Sequence, residues 1–313
     1  MKNTKVVFMG TSEFARQVLE TLISIVDVVL VVSQPDSIIG RKKILTPSPV
    51  KTFALHNGIE VFTPDKIRLD SKKVEEVKPD LIITCAYGQI IPKSLLDLPR
   101  LGCINVHASL LPKLRGGAPI HRAIMEGLTK TGVSIMYMDE HMDTGDIIEM
   151  SEVDIDLDDD LESLSAKLIK CANDLLTIVL PRIINGSVNR IKQNDEEATY
   201  AKIISKEDEL IDFNKRTKEV YDKIRALNPN PGAYFTLNNE VIKVYSSSMS
   251  NSQGPIGCVN NIYKDGIGVG TKDGEIILKV IKPAGKNKIL VKDYLNGVKK
   301  EKLLGAMCNE GQN

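Results

Sequence analysis

The stretch Lys5-Val-Val-Phe-Met-Gly-Thr-Ser-Glu-Phe-Ala15 is a short apolar run that ends in Gly10. Phe14, Val18 and Leu22 then recur at i, i+4 and i+8, one face of a helix. A strand that turns directly into an amphipathic helix is the building unit of a parallel sheet, because parallel neighbours need a crossover between them. Further strand candidates are Val28 to Val32, Leu81 to Ala86, Cys103 to His107 and Val133 to Met138, with helix-compatible segments between most of them. The alternation predicts an α/β fold: a Rossmann-like, doubly wound, mainly parallel sheet. Gly10-Thr-Ser-Glu-Phe-Ala15 stands where a G-x-G-x-x-G fingerprint would, but Ser12 replaces the second glycine. Close backbone approach to a pyrophosphate is then not provided for, and no nucleotide cofactor is expected.

A helix-like stretch runs from Asp160 to about Ile184, and the polar segment from Gly186 to Glu197 reads as a crossing toward a second unit. Beyond it the character changes. A short helix, Thr217 to Leu227, leads through Asn228-Pro-Asn-Pro-Gly232 into five strand candidates: Ala233 to Leu237, Val241 to Ser246, Gly257 to Tyr263, Gly266 to Gly270 and Glu275 to Ile281. Asn238-Asn239, Lys264-Asp-Gly266 and Lys272-Asp-Gly274 mark the turns. Five short strands so spaced predict a C-terminal OB-like β-barrel. The expected domains are residues 1–206 and 207–313, consistent with about 100 to 200 residues per domain for a chain of 313.

Hydrophobic residues make up 42% and charged residues 26%, the composition of a globular protein, which sets aside disorder and collagen-like structure. The most apolar stretch, Val26 to Val32, is interrupted by Asp27 and is strand-sized, so no membrane span is expected. The first ten residues lack the long apolar region and cleavage site of a signal peptide. Five scattered cysteines without a C-x-x-C pair fit reduced thiols in a cytoplasmic protein. The four histidines lack H-E-x-x-H or cysteine partners at ligand spacing, and no metal is expected.

Forty-one basic and forty-one acidic residues cancel, so any charge signal must be local. Between Lys279 and Lys302 eight lysines, including Lys286 and Lys288, face only Asp293 and Glu301. A solvated lysine surface and a phosphate-binding face both fit that pattern, and the neighbouring barrel makes the second competitive. The barrel region has few aromatic residues and no tryptophan, so a nucleic-acid contact would be with backbone and shape.

Asn105 and His107 are two apart on a strand and leave the same face near its carboxyl end, where doubly wound sheets form ligand crevices. A capping asparagine and a structural histidine fit the spacing equally. The loop Asp139-Glu-His-Met-Asp-Thr-Gly-Asp146 offers carboxylates that could fix the tautomer of His107 as a proton acceptor. Asp139, Asp143 and Asp146 are not ranked by composition, and His141 competes with His107.

Asn105-Val-His-Ala-Ser-Leu-Leu-Pro112, Arg115-Gly-Gly-Ala-Pro119 and Met138-Asp-Glu-His-Met-Asp-Thr-Gly-Asp146 together resemble the signature of 10-formyltetrahydrofolate-dependent formyltransferases. Across nearly the whole chain the sequence is most similar to the branch that acts on methionyl-tRNA. Supporting blocks are Phe8 to Ala15, Gln34-Pro-Asp36 with Thr46 to Lys51, Ala86 to Pro92, Ala198 to Lys202 and Ile224 to Pro229. The resemblance implies a catalytic trio of Asn105, His107 and Asp143, and a folate-binding motif Ser109, Leu110, Leu111 and Pro112. It also implies pteridine contacts from the backbone around Gly88, Gln89 and Ile90, and tRNA contacts from Arg41, Lys42 and Lys43. The implied co-substrate is 10-formyltetrahydrofolate and the implied partner methionyl-initiator tRNA, with a monomeric enzyme expected.

Two departures stand out. Ser12 replaces a proline usual in the first turn, which is expected to loosen it. His141 replaces a glycine in the D-x-G-x-D-T-G loop and is expected to bear strain there. Formyl transfer is acyl transfer, so Asn105 and a ring N–H of His107 are expected to meet the developing oxyanion while Asp143 orients the histidine. The rival readings are a formyltransferase or formyltetrahydrofolate hydrolase acting on a sugar amine, glycinamide ribonucleotide or water, and a noncatalytic RNA-binding protein.

Overall fold

The computed structural model describes residues 3–39 and 43–309. Arg41 and Lys42 lie outside the described residues. Backbone contacts divide the chain into two units, the first comprising residues 1–119, 130–154 and 165–202 and the second residues 120–129, 155–164 and 203–313.

The strands of the first unit are β1 (Lys5–Gly10), β2 (Asp27–Val32), β3 (Ser37–Ile39), β4 (Ile44–Thr46), β5 (Val61–Phe62), β6 (Leu81–Cys85), β7 (Cys103–His107), β8 (Lys130–Tyr137) and β9 (Ile147–Asp154). Seven of them form one sheet in the order β5-β2-β1-β6-β7-β8-β9, while β3 and β4 pair as a separate hairpin. The pairs from β5 to β7 are parallel, and β8 and β9 add an antiparallel edge. The sequence reading had no β9. Its pattern, two buried residues followed by alternating exposed Met150, Glu152 and Asp154, is that of an edge strand with one wet face, which apolar-run criteria pass over.

Ser12 caps the helix Glu13–Ile25 by accepting from the amide of Ala15 at 3.3 Å. The departure from proline therefore adds a helix cap, where a looser turn was expected. Ala15, Val18, Leu19 and Leu22 bury the helix face, so Val18 and Leu22 of the predicted stripe are in the core while Phe14 is only half-buried. One core cluster joins Val7, Met9, Leu30, Val32 and Ile82 from the sheet to Ile67, Val74 and Leu95. Each fully buried aliphatic side chain contributes roughly 1.5 to 3 kcal/mol, so the central strands are anchored where the ligand crevice opens.

In the second unit, β10 (Ala233–Leu237), β11 (Glu240–Ser250), β12 (Val259–Tyr263), β13 (Gly266–Gly270), β14 (Glu275–Pro283) and β15 (Ile289–Leu290) form an antiparallel sheet. Its order is β10-β11-β14-β13-β12, with β15 on β14. Asn238 and Asn239 take φ of 51° and 63°, the left-handed pair that a tight hairpin between β10 and β11 requires. The outer strands β10 and β12 share one partner, residues 306–309. Asn309 donates to Thr236 O at 2.8 Å, Cys308 to Gly257 O at 2.7 Å, and Val259 to Ala306 O at 2.9 Å. The same short segment thereby covers part of both edges, and the β10 edge is also met by Ile211, whose amide donates to Tyr234 O at 2.8 Å.

The Arg122 guanidinium donates to both oxygens of Asp208, at 2.7 and 3.0 Å, and holds its carboxyl down to about 2, against an ordinary 3.8. A depressed carboxyl stabilises the fold above its unfolded pKa and loses that contribution as pH falls through the folded value. Arg122→Gln is therefore expected to lower the urea midpoint at pH 7, with the difference from the parent shrinking between about pH 4 and pH 2. Parallel urea titrations across that range check it.

Candidate active site

The sheet order reverses direction of growth at β1 and β6, and the chain leaves these strands at Thr11 and at Ala86-Tyr87-Gly88. That is the topological switch point of a doubly wound sheet. Thr11 Oγ1 donates to Tyr87 O at 3.0 Å and Gln34 Nε2 to the same carbonyl at 3.1 Å, which ties the two exits together. Ala86 and Gly88 take φ of 44° and 83°, turning the peptide groups of this loop sharply. Gln89 spends its side chain on the neighbouring loop, accepting from Ile67 N at 2.8 Å and donating to Pro64 O and Asp65 O at 3.3 Å. It can offer a ligand only its backbone. Ile90 is exposed.

Asn105 and His107 leave β7 toward one carboxylate, that of Asp143. Asn105 Nδ2 donates to Asp143 Oδ1 at 3.3 Å, and His107 Nδ1 lies 3.6 Å from Oδ2. Gly116 N donates to the same Oδ2 at 2.8 Å. Three segments distant in sequence thus meet at one group. Asp139 is spent on its own loop, accepting from His141 N at 3.0 Å and from Thr144 Oγ1 at 2.7 Å. His141 is exposed. The geometry ranks Asp143 above the other aspartates and His107 above His141.

His107 Nε2 sits 2.9 Å from Leu114 O. A carbonyl oxygen only accepts, so Nε2 carries a hydrogen and Nδ1 is the atom that gains or loses a proton. This amends the expected role: His107 can present an N–H to an oxyanion only from Nδ1, and only when the ring is protonated. Asn105 is oriented from behind by Thr84 Oγ1, which reaches Asn105 Oδ1 at 2.8 Å. With its oxygen held, one Nδ2 hydrogen faces Asp143 and the second remains for a substrate oxygen.

The loop strain expected at His141 is absent. Asp143 itself occupies the left-handed region, with φ of 56°, a conformation that aspartate tolerates better than most residues. Gly145 lies beside it because an added Cβ would collide with the carbonyl of Tyr137.

Ser109 is fully buried and its hydroxyl donates to Lys113 O at 2.6 Å, while Ser134 Oγ bridges Ser109 O at 2.7 Å and Leu111 N at 3.0 Å. Leu111 packs on Met136 and Ile147. Leu110 and Pro112 are half-buried. The Ser109 to Pro112 segment is a braced turn beside β7, with Leu110 set against Gly132. A second brace comes from residues 199–201: Arg115 N donates to Thr199 O at 2.9 Å and Ala201 N to Arg115 O at 2.7 Å.

Burial pushes the Cys103 thiol up to about 12 and Cys85 further still, so neither thiol near these strands supplies a thiolate. Tyr87 is likewise pushed up to about 12 by burial and stays a neutral phenol. A donor amide, a proton-accepting ring nitrogen and a carboxylate without a nucleophile suit direct acyl transfer to an incoming amine. Sequence reading missed Thr84 and Gln193. Thr84 had a signal, as the polar residue inside Leu81-Ile-Ile-Thr-Cys85; Gln193 had none, since it stands in a polar stretch with no period.

The formyl transferase family model matches residues 4–180, and the model of the formyl transferase C-terminal domain matches residues 203–299. The methionyl-tRNA formyltransferase of Bacillus licheniformis is 49% identical over 300 residues, covering 94% of this chain and 95% of that protein. The chain belongs to the methionyl-tRNA formyltransferase family. The family member from Bacillus subtilis is 48% identical over 300 residues, with the same shares covered. Among solved structures, the N-formyltransferase from Helicobacter canadensis, in complex with folinic acid and dTDP-3-aminofucose, superposes with a TM-score of 0.66 at 21% identity. The match covers 88% of this chain and 98% of that one, and shows a shared fold. This family member is thus a formyl-transferring enzyme built from a mainly parallel α/β unit and a C-terminal antiparallel β unit. Among the described residues no helix is long and apolar enough to cross a membrane.

Proposed function

We propose that the chain transfers the formyl group of 10-formyltetrahydrofolate to the α-amino group of methionyl-initiator tRNA. The observation that carries this reading is the meeting of Asn105, His107 and the Gly116 amide on the Asp143 carboxylate at the carboxyl end of β7. In this reading the amine nitrogen attacks the formyl carbon, a C–N bond forms, and the carbonyl electron pair moves to oxygen. The second Nδ2 hydrogen of Asn105 and a protonated His107 Nδ1 stabilise that oxyanion. Collapse of the tetrahedral species breaks the bond to N10, which takes a proton, while the attacking amine gives one up. Nδ1 of His107, beside Asp143, is the site through which the proton moves, with water completing the relay.

The folate is a co-substrate. Ser109 to Pro112 would support its one-carbon end, and the turned backbone of Gly88, Gln89 and Ile90 would meet the pteridine edge. For the tRNA, Lys43 is exposed with φ of 50° at the β3 to β4 hairpin, and it acts with Arg41 and Lys42 on the acceptor arm. In the C-terminal unit Lys286 is exposed, and Lys288 lays its ammonium 3.6 Å over the Tyr245 ring, an electropositive surface for phosphates. The functional division follows as a catalytic part, residues 1–206, and an OB-like tRNA-binding part, residues 207–313. The enzyme works as a monomer in the cytoplasm.

The test follows labelled formyl from 10-formyltetrahydrofolate to methionyl-initiator tRNA, methionyl-elongator tRNA, an amino sugar nucleotide, or no acceptor. Label on initiator methionyl-tRNA alone supports the proposal; label on the sugar, or formate released without acceptor, overturns the tRNA assignment. Replacing Arg41, Lys42 and Lys43 by glutamine should raise KM for tRNA. The slope of log KM against log salt should fall by about one for each phosphate that is no longer neutralised. An unchanged slope returns the loop to the solvated-surface reading.

A further inference from the structure

The segment after the long helix Leu161–Ile184, which reads as a polar crossing, pairs both ways with β9: Ile147 N donates to Ile191 O at 2.8 Å and Ile191 N to Ile147 O at 2.9 Å. Two residues on, Gln193 reaches the catalytic loop. Its Nε2 donates to Asp143 O and to Gly145 O, each at 2.8 Å. Its Oε1 accepts from Arg115 Nε at 3.1 Å and Arg115 Nη2 at 2.8 Å. Carbonyls only accept and a guanidinium only donates, so the amide has one possible orientation, and both its hydrogens and its oxygen are engaged. Arg115 is itself buried, 2% exposed, and is held by Asp195 Oδ1 at 2.7 Å and by the backbone of Thr199 and Ala201.

The two carbonyls that Gln193 grips belong to the peptides 143–144 and 145–146, so both of those peptide planes are fixed, one directly after Asp143 and one two residues further on. Asp143, with φ of 56°, lies in a sparsely populated region that persists only where the surroundings hold it. Its carboxylate has three partners to satisfy at once, Asn105, His107 and Gly116. A shift of the backbone would break that fit, since small misplacements of a reacting group cost rate steeply.

We propose that Gln193 is a positioning residue that holds the backbone of Asp143 in its left-handed conformation and thereby places the carboxylate for catalysis; this rests on the reading of Asp143 as catalytic. The hydrogen bonds of Gln193 go to the loop backbone and to Arg115, so it acts on the trio through the loop.

The test uses Gln193→Glu, which keeps the size and the bonds from Arg115 but cannot donate to either carbonyl, with Gln193→Met as an uncharged second variant. Both are made in the parent and in the Asp143→Asn background, with kcat, KM for each substrate and thermal midpoint measured. The expected result in the parent is a fall in kcat of roughly tenfold or more. Both KM values should stay within about twofold, and the thermal midpoint should change little. In Asp143→Asn, whose carboxylate is already gone, the same substitutions should cost less than about twofold, because the two positions act in series. A kcat within twofold of the parent for both variants overturns the proposal. So does an equal fold-loss in both backgrounds, the sign of a general structural role. Should Asp143→Asn alone retain parental turnover, the catalytic reading of Asp143 falls first, and that result is visible without any Gln193 variant.

Discussion

Asp143→Asn is expected to lower turnover at least about a hundredfold while the protein stays folded. The substitution changes almost no volume, so its effect isolates charge and hydrogen-bond direction. The asparagine would have one oxygen and one NH₂ to place among partners that all approach the aspartate as donors or as a protonatable nitrogen. With its oxygen toward the Gly116 amide, its NH₂ faces Asn105 Nδ2, donor against donor, at a separation now 3.3 Å. With the amide turned over, the NH₂ faces the Gly116 N–H, at a separation now 2.8 Å. Either way one member of the arrangement loses its partner, and the anion beside His107 Nδ1 is gone. Asn105→Ala and His107→Ala should show losses of similar size, since each removes a group aimed at the oxyanion or the moving proton. Single-turnover rates with thermal midpoints measure this. Turnover near the parent's in any one variant removes that residue from the trio.

Gly145→Ala should be the most damaging single methyl in the first unit. The added Cβ would be driven into the carbonyl oxygen of Tyr137, with Asp139 N close behind. These are backbone atoms of β8 and its exit, and they cannot swing aside as a side chain end can. The relief must come from the loop, which carries Asp143 two residues earlier. Overpacking of this kind costs about 1 to 3 kcal/mol, so the thermal midpoint should fall by several degrees. Turnover should fall more than tenfold, out of proportion to the stability loss. Gly297→Ala is the control, because its Cβ would meet only Tyr294 O at 3.7 Å. Melting curves and kcat for the pair decide it; equal behaviour of the two variants removes the steric argument.

The central strands were legible because burial on both faces writes them as continuous apolar runs, as in Val28 to Val32 and Leu81 to Ala86. In the second half, the left-handed pair Asn238 and Asn239 gave β10 its observed end, since a left-handed turn restricts residue type strongly, and the Lys264-Asp-Gly266 turn marked the start of β13. Asn105 and His107 were visible as polar residues two apart on one strand. Their convergence on Asp143 was not, because it depends on how the β8 to β9 loop folds back over β7, which no local pattern encodes. Family resemblance pointed to Asp143, and the hydrogen bonds now give physical grounds for it. The same limit hid Gln193 and the Arg115 brace: contacts spanning dozens of residues leave no period. Strain was anticipated one position pair too early, at His141, because a missing glycine marks where backbone freedom is usual and not where the left-handed residue falls.

The shared pairing of β10 and β12 with residues 306–309 sets an order of assembly. A ribosome delivers the chain from its amino end, so every strand of the first sheet is made once Asp154 has emerged, and that unit can begin to fold early. The second sheet has no such head start. All its named strands can be present while part of each border, at Thr236 and at Gly257 to Val259, still has backbone groups open to any passing strand. Residues 306–309 close those gaps. A chain stopped before residue 306 therefore leaves open backbone groups that pairing with residues 306–309 covers, and the interval before that segment appears is when this sheet is most open to foreign strands.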